Sequence, residues 1–308
     1  MNLKGRHLID PNDFTIDELN SILDLAVDMK KDLSRYSNLC KGKILATLFY
    51  EPSTRTRLSF ESAMLRMGGN VLGFADSTTS SASKGESLSD TIRVINGYAD
   101  IAVIRHPKEG SAKLASEHSY ISVINGGDGG HQHPTQTLTD LLTIKLYKDN
   151  IENLKVALCG DLKYGRTVHS LIKTLARYNN ISFYLVSPNQ LKLPEYIKEN
   201  VKEKYNATIF ETENLEDVIN EVDILYMTRI QRERFFNEED YLKLKNSYIL
   251  TKDKISKSKE NMLIMHPLPR VNEIDSSVDS DKRAVYFEQA HNGVFVRMAL
   301  MAKLLGVV

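Results

Sequence analysis

Ser53-Thr54-Arg55-Thr56-Arg57 sets three hydroxyls beside two guanidinium groups, directly after the apolar run Ile44 to Tyr50 and the stop Glu51-Pro52. A short apolar run of that kind predicts a buried strand, and the pattern after it predicts a helix reaching Gly68-Gly69. The cluster then falls in the first helical turn, where unpaired backbone N–H groups and the helix dipole favour an anion. Two arginines there oppose the dipole by a few tenths to ~1 kcal/mol, and a bound dianion reverses that sign. A simple Ser/Thr cap with solvated arginines is the bland alternative, and the lopsided composition argues against it.

Other polar residues stand at comparable junctions. Arg105 follows the apolar stretch Ile101 to Ile104, and His133 opens a helical pattern from about Pro134 to Tyr147, with Gln136 one turn on. Arg166 lies in the turn Gly160-Asp161-Leu162-Lys163-Tyr164-Gly165-Arg166-Thr167 between a strand and a helix. Arg229 and Gln231 follow Ile224 to Met227, and a spacing of two puts both on one face if the strand continues. In His266-Pro267-Leu268-Pro269 two prolines fix a loop and remove two N–H donors, leaving carbonyls as the polar groups on offer. Taken singly, each has an ordinary reading: a strand-end surface arginine, a capping or core histidine, a rigid turn, a solvated charge. The Gly160 to Thr167 turn approaches the phosphate-loop pattern GxxxxGK[ST], but Arg166 replaces its lysine, which argues against nucleotide hydrolysis. His131 and His133 near Asp128 lack a third ligand cluster, so no metal is expected.

The elements that must carry these residues alternate. A capping box at Thr15-Ile16-Asp17-Glu18 starts an amphipathic helix with Leu19, Ile22, Leu23, Ala26 and Met29 at helical spacing. Strand and helix patterns then alternate to Ile121–Ile124, and again from Lys155 through Ser182–Val186, Ala207–Phe210, Ile224–Met227 and Met262–Met265. The expectation is an α/β protein of two doubly wound parallel-sheet domains with right-handed crossovers. The glycine-rich Gly126-Gly127-Asp128-Gly129-Gly130 is the expected junction, giving domains at 1–134 and 135–289. A final apolar-faced helix, within 290–308, is expected to return to the first. The hydroxyl-rich segment Ser77 to Glu86 reads as a polar loop.

At 308 residues the chain has room for about two domains. Forty Lys and Arg against forty Asp and Glu leave no net charge, so general attraction to nucleic acid or an anionic membrane is not expected and any anion site is local. No signal peptide or membrane span is apparent, which points to the cytoplasm. Cys40 and Cys159 form no CxxC pair and read as small buried apolar residues.

In chain order, Ser53-Thr54-Arg55-Thr56-Arg57, Arg105-His106-Pro107 and His133-Pro134-Thr135-Gln136-Thr137-Leu138 resemble motifs of the transcarbamoylases. Gly160 to His169, Thr228-Arg229-Ile230-Gln231 and His266-Pro267-Leu268-Pro269-Arg270 are similar to the aspartate branch of that family in particular. The match is collinear over essentially the whole chain, and six motifs in order make it specific. The resemblance implies an enzyme that moves the carbamoyl group of carbamoyl phosphate to the α-amine of L-aspartate, an early committed step toward pyrimidines, with no metal or organic cofactor. It assigns Ser53, Thr54, Arg55 and Thr56 to the phosphate; Thr56, Arg105 and His133 to the carbonyl oxygen; and the Pro267, Leu268 and Pro269 loop to the carbamoyl amine, while Gln136, one turn after His133, can reach the carbamoyl group from the same helix face. Arg166 is assigned to the α-carboxylate of aspartate, and Arg229 with Gln231 to its side-chain carboxylate.

The same resemblance implies a homotrimer with shared sites, Lys84 binding both substrates and Ser81 the phosphate of a neighbouring subunit. The segment is one residue shorter than in some members, which leaves Ser80 as the alternative serine. In the family some chains work as bare trimers and others assemble with a regulatory chain, and both arrangements stay open. Domain closure over a substrate cleft is implied, held by Glu51 with Arg166 and Arg234 and by Glu233 with Arg229. Two rivals remain: the ornithine branch, whose cationic substrate calls for carboxylates rather than Arg229, and a non-catalytic phosphate-binding subunit, against which intact Arg55, Arg105 and His133 speak.

Overall fold

The capping box forms: Thr15 Oγ1 accepts the Glu18 N–H at 3.2 Å and Glu18 Oε2 accepts the Thr15 N–H at 2.8 Å. It opens α1 (Ile16–Lys31), whose Leu19, Ile22, Leu23, Ala26 and Met29 are all buried. The computed structural model describes residues 2–232, 235 and 237–308. The chain divides into two units, Met1–Leu142 with His291–Val308, and Thr143–Ala290.

The first unit carries β1 (Ile44–Phe49), α2 (Thr54–Arg66), β2 (Asn70–Phe74), α3 (Leu88–Ile95), β3 (Ile101–His106), α4 (Ser111–Glu117) and β4 (Ser122–Asp128). The strands pair in parallel in the order β2-β1-β3-β4. On one face Ala46, Leu48, Ala102, Ile104 and Val123 pack with Ile92 of α3 and Ala112 and Ala115 of α4. Burial on both faces is why β1 and β3 read as continuous apolar runs rather than alternating ones.

After β4 comes α5 (Pro134–Lys148), and then the second sheet with β5 (Lys155–Cys159), α6 (Arg166–Leu175), β6 (Ser182–Val186), α7 (Glu195–Tyr205), β7 (Thr208–Thr212), β8 (Ile224–Met227), α8 (Glu238–Leu244), α9 (Lys252–Ile255) and β9 (Leu263–Met265). Its strands are also all parallel, in the order β7-β6-β5-β8-β9. Both cysteines are buried and free. The last helix, α10 (Tyr286–Leu305), returns to the first unit. There Lys30 Nζ meets Asn292 Oδ1 at 2.7 Å and the Gly5 N–H donates to Leu304 O at 3.0 Å. Among the described residues no helix is long and apolar enough to cross a membrane.

The glycine run is not a linker. Gly126, Gly127 and Asp128 complete β4, and a Cβ on Gly126 would press on Val103 Cγ2 at 3.1 Å and Ile104 O at 3.2 Å. Small size at a close approach explains the glycine, and the break between units falls instead inside α5, between Leu142 and Thr143. The front of α5 is held on the first unit, where Thr139 Oγ1 lies 3.5 Å from Arg297 Nη1 of α10.

Candidate active site

In an open parallel sheet, ligands bind beyond the carboxyl ends of the strands where the winding direction reverses. The order β2-β1-β3-β4 puts that reversal between β1 and β3. Phe49 pairs with Arg105 across it, and the Tyr50 N–H donates to Arg105 O at 2.8 Å. The chain leaves β1 through Glu51-Pro52 and enters α2 with Ser53 as its extended N-cap, φ −156° and ψ 94°. Ser53 makes no side-chain bond to the first turn it caps, and Thr54, Arg55 and Thr56 form that turn with Thr56 buried.

Arg105 lies within β3, not after it, and is 9% exposed. Its Nη2 meets Glu51 Oε1 at 3.0 Å and its Nη1 donates to Gly126 O at 3.3 Å. Its Nε is buried without a partner among the described residues. Burial pulls the guanidinium below its ordinary pKa, against Glu51, which holds it up. Glu51 thus pairs with Arg105, whereas the expected partner Arg234 and the pair member Glu233 lie outside the described residues.

His133, also buried, precedes α5, and its carbonyl accepts the N–H groups of Gln136 at 3.0 Å and Thr137 at 3.3 Å. The turn that delivers it is braced by Asp128: Oδ1 accepts from Asn125 Nδ2 at 3.0 Å and the Gln132 N–H at 3.2 Å, and Oδ2 from the Gly110 N–H at 3.0 Å. His131, 3.3 Å from Asp128 Oδ2, is exposed. Among the described residues no group of three or more His, Cys, Asp and Glu is placed to hold a metal ion. Gln136 Nε2 donates along the helix to Asp140 Oδ1 at 2.8 Å, which leaves its carbonyl as the end to offer a ligand.

Segment 77–86 forms two short 3-10 turns, Ser77–Thr79 and Ser81–Lys84. Ser80 Oγ is committed to them, donating to Ser77 O at 2.8 Å and accepting the Ala82 N–H at 3.3 Å. Ser81 and Lys84 are exposed.

The second sheet reverses between β5 and β8. Gly160 stands at that point with φ +122°, and a Cβ there would lie 2.3 Å from Thr228 O. Arg166 is the first residue of α6, which Gly165 precedes without a side-chain cap. Strand β8 ends at Met227, so the one-face argument for Arg229 and Gln231 fails. Their segment is held by Asp161 instead. The Asp161 N–H donates to Thr228 Oγ1 at 3.0 Å, and its carboxylate accepts the N–H groups of Tyr164 at 2.9 Å and Gln231 at 3.5 Å. Burial raises the Asp161 pKa, opposed by those N–H groups and the charge of Arg229.

Beyond β9 the Pro267-Leu268-Pro269 loop carries a cis Leu268–Pro269 bond, and Leu268 is left-handed at φ +51°. His266 is 1% exposed; its N–H donates to Gln289 Oε1 at 2.9 Å and its ring bonds Glu273 at 2.7 Å. Arg270 pairs with Asp279 and lies over the Tyr286 ring at 5.4 Å. Glu273 and Gln289 gave no sign in the sequence, because neither type nor spacing ties them to His266. Asp161 lies within the Gly160 to His169 motif, where its residue type alone does not tell a buried brace from a surface charge.

The two halves of the chain match two family models: aspartate/ornithine carbamoyltransferase, carbamoyl-P binding domain, over residues 6–146, and the Asp/Orn binding domain of the same family over residues 152–304. The aspartate carbamoyltransferase catalytic subunit of Alkaliphilus metalliredigens is 63% identical over 308 residues, 100% of this chain and 99% of that one. Its counterpart from Clostridium kluyveri is 63% identical over 305 residues, 99% of each. Among solved structures, the catalytic subunit of M. jannaschii aspartate transcarbamoylase superposes with TM-score 0.90 at 51% identity over 98% of both chains. The Trypanosoma cruzi enzyme in complex with carbamoyl phosphate and aspartate gives TM-score 0.93 at 37% identity, again over 98% of both. With each half matched in order and the relatives covered end to end, the chain belongs to the aspartate/ornithine carbamoyltransferase family.

Proposed function

We propose that the chain transfers the carbamoyl group of carbamoyl phosphate to the α-amine of L-aspartate, giving N-carbamoyl-L-aspartate and phosphate, the committed step toward pyrimidines. The observation that carries this reading is Arg105: a buried guanidinium at the sheet's switch point, paired with Glu51 just ahead of the uncapped start of α2, in whose first turn Thr56 is buried. A buried cation near the start of a helix, where the dipole favours negative charge, suits a dianion whose carbonyl must be polarised.

In this reading the first turn of α2 holds the phosphate through Ser53, Thr54, Arg55 and Thr56. Arg55 neutralises charge as the phosphate leaves, its planar fork matching phosphate oxygens. Thr56, Arg105 and His133 donate to the carbonyl oxygen, which gains negative charge as the amine attacks. The carbamoyl amine donates to the carbonyls of Gln136, Pro267 and Leu268, with Pro269 closing that loop. Arg166 takes the α-carboxylate of aspartate, and Arg229 with Gln231 the side-chain carboxylate.

Carbamoyl phosphate binds first and aspartate second. The departing phosphate takes the proton of the attacking amine, since no carboxylate or thiol stands among the assigned groups. Rate then comes from positioning and oxyanion stabilisation. The chain works as a homotrimer in which Lys84 and Ser81 enter a neighbour's site. Ser81 is favoured over Ser80 because the Ser80 hydroxyl is already bonded within its turn.

The test is product formation by the purified chain offered carbamoyl phosphate with L-aspartate or L-ornithine in parallel. Turnover with aspartate alone supports the reading, turnover with ornithine moves it to the sister branch, and phosphate binding without either product ends the enzyme claim.

A further inference from the structure

A chain of hydrogen bonds runs from the carbonyl loop after β9 to a residue with no assigned contact to substrate. The Leu268 N–H lies 2.8 Å from His266 Nδ1. A backbone N–H only donates, so Nδ1 is the acceptor nitrogen and the neutral ring carries its proton on Nε2. Nε2 lies 2.7 Å from Glu273 Oε1, and Glu273 Oε2 accepts the N–H groups of Val271 and Asn272, each at 3.1 Å. His266 is 1% and Glu273 4% exposed, so solvent offers no ready substitute for these partners. Leu268 itself is left-handed at φ +51°, a conformation a leucine keeps only where its surroundings hold it.

We propose that Glu273 is a positioning residue: by accepting at both oxygens it fixes the Nε2–H tautomer of His266, whose Nδ1 then holds the Leu268 N–H and aims the Pro267 and Leu268 carbonyls at the carbamoyl amine. The inference rests on the carbamoyl-transfer reading. A glutamine at 273 has the same size and an incompatible pattern of donors. With its carbonyl toward His266, its NH2 faces the two N–H donors of Val271 and Asn272. Turned over, its NH2 faces Nε2 and drives the ring proton to Nδ1, against the Leu268 N–H. Either way one bond of the chain breaks.

The experiment compares wild type with Glu273→Gln by steady-state kinetics and by nitrogen-15 NMR of the imidazole rings, the His266 signal being identified by its loss in His266→Asn. Wild type is expected to show protonated Nε2 and bare Nδ1 near neutral pH. A folded Glu273→Gln enzyme is expected to show a rise of about tenfold in the KM for carbamoyl phosphate, with the ring proton moved to Nδ1 where the amide NH2 faces Nε2 and kept on Nε2 where the amide carbonyl does. Simple loss of stability would lower the melting temperature without selecting that KM. A wild-type His266 protonated on Nδ1, or on both nitrogens, overturns the proposal. So does a folded Glu273→Gln enzyme with wild-type KM. Should that variant not fold, the wild-type spectrum still decides the tautomer, and Glu273→Asp, which keeps a carboxylate, is expected to stay closer to wild-type KM than Glu273→Ala; the reverse order counts against the proposal. An inactive wild type with either amino acid would end the functional reading, whereas an active wild type with an indifferent Glu273→Gln ends this inference alone.

Discussion

Arg57 of the Ser53 to Arg57 cluster and Arg105 differ in a way that the sequence does not reveal. Arg57 Nε lies 2.7 Å from Glu61 Oε1, an i,i+4 pair along α2 that is partly open to solvent. Arg105, far off in the sequence, is buried and pairs in the sheet with Phe49, four residues before that cluster. Arg105→Ala should therefore lower kcat by ~10²–10³, as loss of an oxyanion donor does, and Arg105→Lys should recover only part of it because the forked geometry is missing. Arg57→Ala should leave kcat near wild type and cost about 0.3–0.5 kcal/mol of stability. Equal losses of kcat in the two alanine variants would show that the distinction is wrong. What the sequence made legible here was residue type at a strand-to-helix junction. What it hid was the distant partners: Asp161 accepts the Gln231 N–H, Asp128 the Gly110 N–H and Glu273 the His266 ring across a loop, and residue type and spacing encode none of these.

At the scale of elements, strands buried on both faces and the first helix were plain from apolar runs and one capping box, because those signals are local. The glycine run and the segment after β8 were misread because tertiary contacts set them: Gly126 for close approach to β3, residues 228–231 for their bonds to Asp161. Gly160 is the sharpest case. At φ +122° with Thr228 O 2.3 Å from a would-be Cβ, Gly160→Ala must push β8 from β5 or twist the turn. A loss of more than about 2 kcal/mol in urea unfolding is expected, with a raised KM for aspartate because Arg229 and Gln231 follow Thr228. Helix α6 adds a pH signature. His169, buried within it, has Nε2 2.8 Å from Leu162 O, and burial lowers its pKa from the ordinary 6.5 to about 4. Below 6.5 the unfolded chain takes up a proton that the folded chain refuses until about pH 4, so stability falls as pH falls through that window. Between about pH 7 and about pH 5 the loss is about 2 kcal/mol. Urea titrations followed by circular dichroism should show a smaller pH difference in His169→Gln, whose amide can still donate to Leu162 O. An unchanged difference would assign the pH dependence to other groups.

For the whole molecule, the expectation to test is that one chain alone does not make a complete site. Lys84 and Ser81 stand on an exposed pair of turns, and the family resemblance sends them to a neighbouring copy. That reading has an arithmetic consequence. Arg105→Ala disables a chain's own carbamoyl-phosphate site, while Lys84→Ala disables the neighbouring site that its lysine serves, and each homogeneous variant is expected to be nearly inactive. When equal amounts of the two are unfolded, mixed and reassembled at random into a closed ring, a site is whole only where a Lys84→Ala chain receives the lysine of an Arg105→Ala neighbour. Each of those two choices has even odds, so about one quarter of the sites should be intact and the mixture should recover about one quarter of wild-type turnover. If Lys84 served its own chain, every site in the mixture would lack one of the two residues and activity would stay at the level of the separate variants. Mixing without unfolding gives the control, since chains that have not exchanged cannot complement one another.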